Sequence, residues 1–166
     1  MSRKATLLAP VIVVGVGNPM RHDDGVGPAA IAHLKRKLLG EHIELMILDG
    51  EPTRLLEAWR GRRRAIVIDA ACKNAAAGSI HRIEVGADPL PGWAVRSSSH
   101  SAGLIDAVNL ARTLEVLPEE LIVFGVEPAD LTLGEGMSDE VQAALPSLIE
   151  QIIIEAQRPL FQGGSS

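Results

Sequence analysis

The chain has 166 residues, with 16 basic against 21 acidic side chains, a net charge of −5, one cysteine and no tyrosine. This size suits one domain, and 46% apolar against 2% aromatic residues calls for a core of Val, Ile, Leu and Ala while excluding a disordered chain. The acidic balance argues against nucleic acid as a partner, and the four aromatics, Trp59, Trp93, Phe124 and Phe161, are too few for base stacking. A lone Cys72 excludes an internal disulfide and a cysteine-based metal cluster and points to a reducing compartment, so a cytoplasmic location is expected.

Arg3 and Lys4 ahead of the apolar residues 7–14 have the outline of a secretory signal. No small-residue cleavage site follows, and the run leads straight into Gly15-Val16-Gly17-Asn18, so a buried first strand is the better reading. No apolar stretch approaches the roughly 20 residues that cross a bilayer, and no membrane partner is expected. Residues 1–158 are read as one α/β domain and residues 159–166, which are Gly/Ser-rich, as a flexible tail.

Residues 11–16 form a β-branched run expected as a strand buried on both faces. A helix follows, with Pro28 in its first turn, Ile31, Leu34 and Leu38 on one face, basic residues 35–37 near its negative end and Gly40 as its stop. Ile43, Leu45 and Ile47 alternate in a second strand leading to Asp49-Gly50, and Pro52 opens a short helix carrying Leu55, Leu56 and Trp59. The third strand covers residues 65–68 and ends at Asp69. Residues 79–85 alternate as a half-exposed edge strand. Leu104, Val108 and Leu114 mark an amphipathic helix over residues 101–115, and residues 121–126 make the last strand. A closing helix spans roughly residues 138–156, where Pro146 either kinks or splits it. The alternation predicts a three-layer α/β sandwich: a mainly parallel, twisted sheet of about five strands with helices on both faces.

Ligands of open α/β sheets bind beyond the carboxyl ends of the parallel strands. Here those ends deliver Asn18, His22, Asp23, Asp24, Asp49, Asp69 and Glu127, with His100 at the start of a helix. Gly15-Val16-Gly17 after a strand invites a dinucleotide site, but Met20 stands where the third glycine belongs and Asp23 and Asp24 would face phosphates. Asp24, Asp69 and His100 together offer two carboxylates and an imidazole, an open donor set for a divalent transition metal. A helix amino terminus would keep His100 neutral, as a ligand requires. The competing reading has Asp24 as a helix cap, Asp69 as a loop cap and His100 as a satisfied polar residue, and spacing does not choose between the two. No His-Glu-x-x-His helix and no Gly-x-Ser-x-Gly elbow is present. Cys72 with His100 as base is a poorer prospect than a packed thiol. Arg60, Arg62, Arg63 and Arg64 read as solvated helix-end charge, with a docking patch for an acidic partner as the alternative.

Five segments in order, Gly15-Val16-Gly17-Asn18 with Asp23-Asp24-Gly25-Val26-Gly27, Asp49-Gly50, Ile68-Asp69-Ala70, Ser98-Ser99-His100-Ser101-Ala102-Gly103-Leu104 and Phe124-Gly125-Val126-Glu127-Pro128, resemble the hydrogenase maturation proteases. These endopeptidases trim the C-terminal tail from the large subunit of nickel-iron hydrogenases. The resemblance implies a five-stranded sheet between helices and a metal-reading triad at Asp24, Asp69 and His100, with Gly17, Asn18, Asp49 and Gly50 shaping the substrate site. It further implies that the metal is nickel carried by the precursor, although zinc or cadmium would suit the same donors, and that cysteine ligands of the substrate complete its shell. The partner implied is the hydrogenase large-subunit precursor, met by a monomer. Two departures stand out: Glu51-Pro52 replaces a small-residue pair, and Ala77 stands before Gly78 where proline is common. A peptidyl-tRNA hydrolase-like esterase shares the Gly-x-Gly-Asn-Pro opening and an Arg-His pair, here Arg21-His22, but spaces its histidine further on. A nucleotide-binding module would need the glycine that Met20 replaces.

Overall fold

A computed structural model of the chain describes residues 7–86, 90 and 101–162, with the backbone alone at 101 and 102. Its sheet has five strands, β1 (Val11–Val16), β2 (Ile43–Leu48), β3 (Arg64–Ala70), β4 (Ile80–Glu84) and β5 (Glu120–Val126), in the order β2-β1-β3-β5-β4. All neighbours run parallel except β4, which is antiparallel to β5; its place at the edge is the one its alternating sequence predicts. The strand order reverses direction at β1 and β3. That reversal opens a crevice beyond their carboxyl ends.

Period-two alternation sends β1 into two cores. Val11 and Val13 join α1 (Val26–Leu34) and α4 (Asp139–Gln157) through Ile31, Leu34 and Leu148 on one face. Ile12, Val14 and Val16 meet α2 (Pro52–Trp59) and α3 (Ser101–Thr113) through Leu55, Trp59 and Val108 on the other. Every residue of β1 and β3 is buried, which is why these strands read as unbroken apolar runs. No helix among the described residues is long and apolar enough to cross a membrane.

Several expectations change. Helix α1 ends at Leu34, so Leu38 falls beyond the helical period and is fully exposed. Leu114 likewise lies past the end of α3, before Glu115 turns the chain through a positive φ, and is exposed. Ile47 faces solvent on the edge strand β2. Pro146 is the eighth residue of one continuous helix and does not split it. The arginine run is solvated helix-end charge only in part: Arg60 is exposed at the end of α2, but two of its members are buried. Arg64 is wholly buried, its guanidinium donating to Glu120 and to the carbonyls of Glu155, Arg158 and Pro159, while Arg62 is buried against Glu44 and the Ala9 carbonyl. Within the expected tail, the Pro159 and Phe161 carbonyls accept from Arg64 and Arg63, and residues 163–166 lie outside the described part.

Candidate active site

The two carboxylates that sequence reasoning singled out meet at the crevice between β1 and β3. Asp24 lies in a single 3-10 turn, His22–Gly25, between β1 and α1; Asp69 is the penultimate residue of β3. Both are buried. Asp24 does not cap a helix. Its Oδ2 accepts from the Asn18 amide at 2.8 Å, closing the Gly17-Asn18 turn back onto it, while α1 starts from Gly25 without a side-chain cap. Gly17 makes that closure possible: its φ is 143°, and a Cβ there would sit 1.9 Å from the Asp24 carbonyl oxygen.

Asp24 Oδ1 is buried with no hydrogen-bond partner among the described residues. Such an atom normally carries a free-energy cost that the fold avoids, so its retention points to a missing cation or donor. Asp69 accepts from the Ala70 amide at 2.8 Å, yet burial, and then the charge of Asp24, push its carboxyl well above the usual range. Two carboxyl groups are thus enclosed with too little compensation for both to carry charge. A divalent ion suits this donor chemistry, because it would satisfy the orphan oxygen and relieve the repulsion together. His100, the third member expected, lies outside the described residues. Among the described residues no three His, Cys, Asp or Glu side chains gather into a metal-sized group.

The β2 end reaches the same rim. A Cβ on Gly103, in the first turn of α3, would lie 2.0 Å from the Gly50 carbonyl oxygen, so the helix start is pressed directly onto the Asp49-Gly50 turn. Asp49 is half-exposed and pairs with Arg54; the Glu51 amide and that guanidinium hold it below the usual carboxylate range. The Glu51-Pro52 departure has a local cause. Glu51 caps α2 by accepting from the Thr53 and Arg54 amides, and Pro52 fills the first helical position.

The other rim carboxylates are already engaged. Asp23 accepts from the Ala129, Asp130 and Ser138 amides and from the Ser138 hydroxyl, tying residues 129–138 to the Asp24 turn. His22, at φ 47°, places Nδ1 2.8 Å from the Gly136 carbonyl and strengthens the same tie. Glu127 accepts from the Lys73 amide and lies 3.0 Å from His81 Nε2; burial acts upward on it, but these contacts hold it below its ordinary value. Burial and the Glu127 charge push the Cys72 thiol up, which disfavours the thiolate a nucleophile needs. Sequence reasoning did not foresee the clamp on residues 129–138, since its partners lie more than a hundred residues apart.

The sequence model of the family described as hydrogenase maturation protease matches residues 28–155. The hydrogenase 2 maturation protease of Escherichia coli K12 is 28% identical over 147 residues, covering 86% of this chain and 88% of that one. The hydrogenase expression/formation protein HupD of Thiocapsa roseopersicina is 25% identical over 145 residues; this chain spans 66% of its length. The solved structure of the hydrogenase maturating endopeptidase HybD from Escherichia coli aligns with a TM-score of 0.75 at 28% identity, over 86% of this chain and 88% of that one. The maturation protease HybD of Thermococcus kodakarensis shares the fold, with a TM-score of 0.69 at 22% identity over 88% and 98% of the two chains. An α/β peptidase fold with a carboxylate-lined switch point is therefore in hand. This chain belongs to the hydrogenase maturation protease family and is a peptidase.

Proposed function

We propose that this peptidase removes the C-terminal extension of a nickel-iron hydrogenase large-subunit precursor, and that it does so after nickel has been inserted. The observation that carries this reading is the buried Asp24–Asp69 pair, one of whose oxygens has no partner. Asp24, Asp69 and His100 would read the nickel of the substrate. An incomplete set of hard donors binds an ion loosely, so cysteine ligands of the precursor would complete the shell and make recognition depend on nickel. When bound, such an ion supplies Lewis acidity that polarises a carbonyl or acidifies a water.

The chain's own residues prepare the place. The Asn18 amide fixes Asp24 Oδ2 and leaves Oδ1 available, the Ala70 amide orients Asp69, and the Gly17-Asn18 and Asp49-Gly50 turns flank the crevice. The protein is proposed to work as a cytoplasmic monomer. The test is to mix it with nickel-loaded large-subunit precursors from several hydrogenase classes and follow their masses. Loss of a C-terminal peptide from one of them is expected, and an intact mass for all would refute the assignment. Alanine at Asp24, Asp69 or His100 should abolish processing while leaving the protein folded; processing retained in all three would remove the triad.

A further inference from the structure

A furrow leaves the Asp24 turn and runs between α1 and α4. It opens as a hollow of about 330 Å³ over Pro19, Ala29 and Met137. Met137 also lines the next section, about 590 Å³, which passes Leu145 and Ile149 and meets His33 of α1 and Lys37 just beyond that helix. A third section of about 260 Å³ again shares Lys37 and Ile149. From Gly25 to Leu34 the wall is roughly 14 Å long at about 1.5 Å per residue, and the turn on to Lys37 adds a few ångströms. An extended segment of about five residues spans that distance at about 3.3 Å each.

Two features of the furrow suit a polypeptide. Its floor is apolar, and Pro146 in the middle of α4 has no N–H to give the Gln142 carbonyl four residues earlier, so an acceptor is left without its helical donor where both residues line the furrow. Toward the far end Lys37 lines two successive sections, with Glu150 across from it in the last, and its sequence neighbours Lys35 and Arg36 are exposed. A second copy of this chain would bring the same positive charges against them. A substrate extension carries a negative α-carboxylate at its end and offers peptide N–H groups along its length.

We propose that this furrow seats the C-terminal extension of the precursor, holding an apolar stretch over Met137, Leu145 and Ile149 and drawing its negative charge toward Lys37. The inference rests on the function proposed above. It gives the enzyme an exosite that begins beside the Asp24 turn, at His22 and Gly25, and would position the chain on the leaving side of the scissile bond.

The test uses the full-length enzyme and nickel-loaded precursor. Lys37→Glu and Ala29→Arg should raise KM at least about tenfold with kcat within about twofold, the pattern of lost uniform binding. Their thermal transitions should match the wild type. A photo-cross-linking amino acid placed at position 142 should capture the precursor through its extension, as mapped by mass spectrometry, and should not capture the mature subunit that lacks it; this arm decides the matter if Ala29→Arg fails to fold. Processing by the wild type together with cross-links to the body of the large subunit, or to a second copy of this chain, would overturn the furrow alone. Failure of the wild type to process any precursor would overturn the proposed function and this inference with it.

Discussion

The two ends of the sheet both bury charge, and they treat it in opposite ways. At the amino end Arg64, with no exposed surface, is met by the Glu120 carboxylate and three carbonyls, and Arg158 pairs with Glu120 from the other side. At the carboxyl end Asp24 and Asp69 are buried beside each other, with the charge of one raising the pKa of the other and one oxygen orphaned. Enclosed charge is stable only when paired. The amino end is complete and holds strand to helix, whereas at the carboxyl end no opposite charge meets the pair among the described residues, and it is there that the proposed function seats the metal of the substrate.

The contrast predicts graded effects. The largest falls on activity: substituting either buried aspartate should eliminate processing, and at Asp69 the loss of fold should be small because burial disfavours its charged form. The next falls on stability. Arg64→Ala would strand buried carbonyls and weaken the hold on Glu120, costing about 3 kcal/mol and lowering the melting temperature by roughly 10 °C, read by thermal denaturation. Asp23→Ala would release three amides and a hydroxyl at about 2 kcal/mol, and hydrogen exchange should quicken across residues 129–138 while the sheet stays protected. The smallest effect belongs to Cys72→Ser, which should process precursor at the wild-type rate; an inactive variant would restore the thiol as a nucleophile.

Much of the architecture was legible because β1 and β3 are buried on both faces and so lack polar interruption, while β4 keeps one polar face and advertises an edge. The crevice followed from that order. What the residues could not disclose was how adjacent carboxylates divide their tasks. Asp23 and Asp24 differ by one position, yet the first is saturated by amides from residues 129–138 and the second keeps a free oxygen. The partners that decide this are remote in sequence. Arg64 misled for a similar reason, since its four acceptors include carbonyls from the far end of the chain. Leu38 and Leu114 misled more simply: the apolar spacing continues past the last helical turn, but the helix does not.

The direct measurement of the central claim is the stability of Asp69→Asn against the wild type as pH is raised in the absence of divalent ions. Burial and the Asp24 charge raise the folded-state pKa of Asp69, so between its ordinary value, about 3.9, and the raised one the folded protein binds more protons than the unfolded chain and loses stability as pH rises. Asparagine keeps the acceptor for the Ala70 amide and removes that loss. The variant should match the wild type near pH 4 and be the more stable of the two at neutral pH, as read by thermal denaturation, while processing no precursor. A variant less stable than the wild type at neutral pH would show that the Asp69 charge is already compensated in the fold, and would contradict the account.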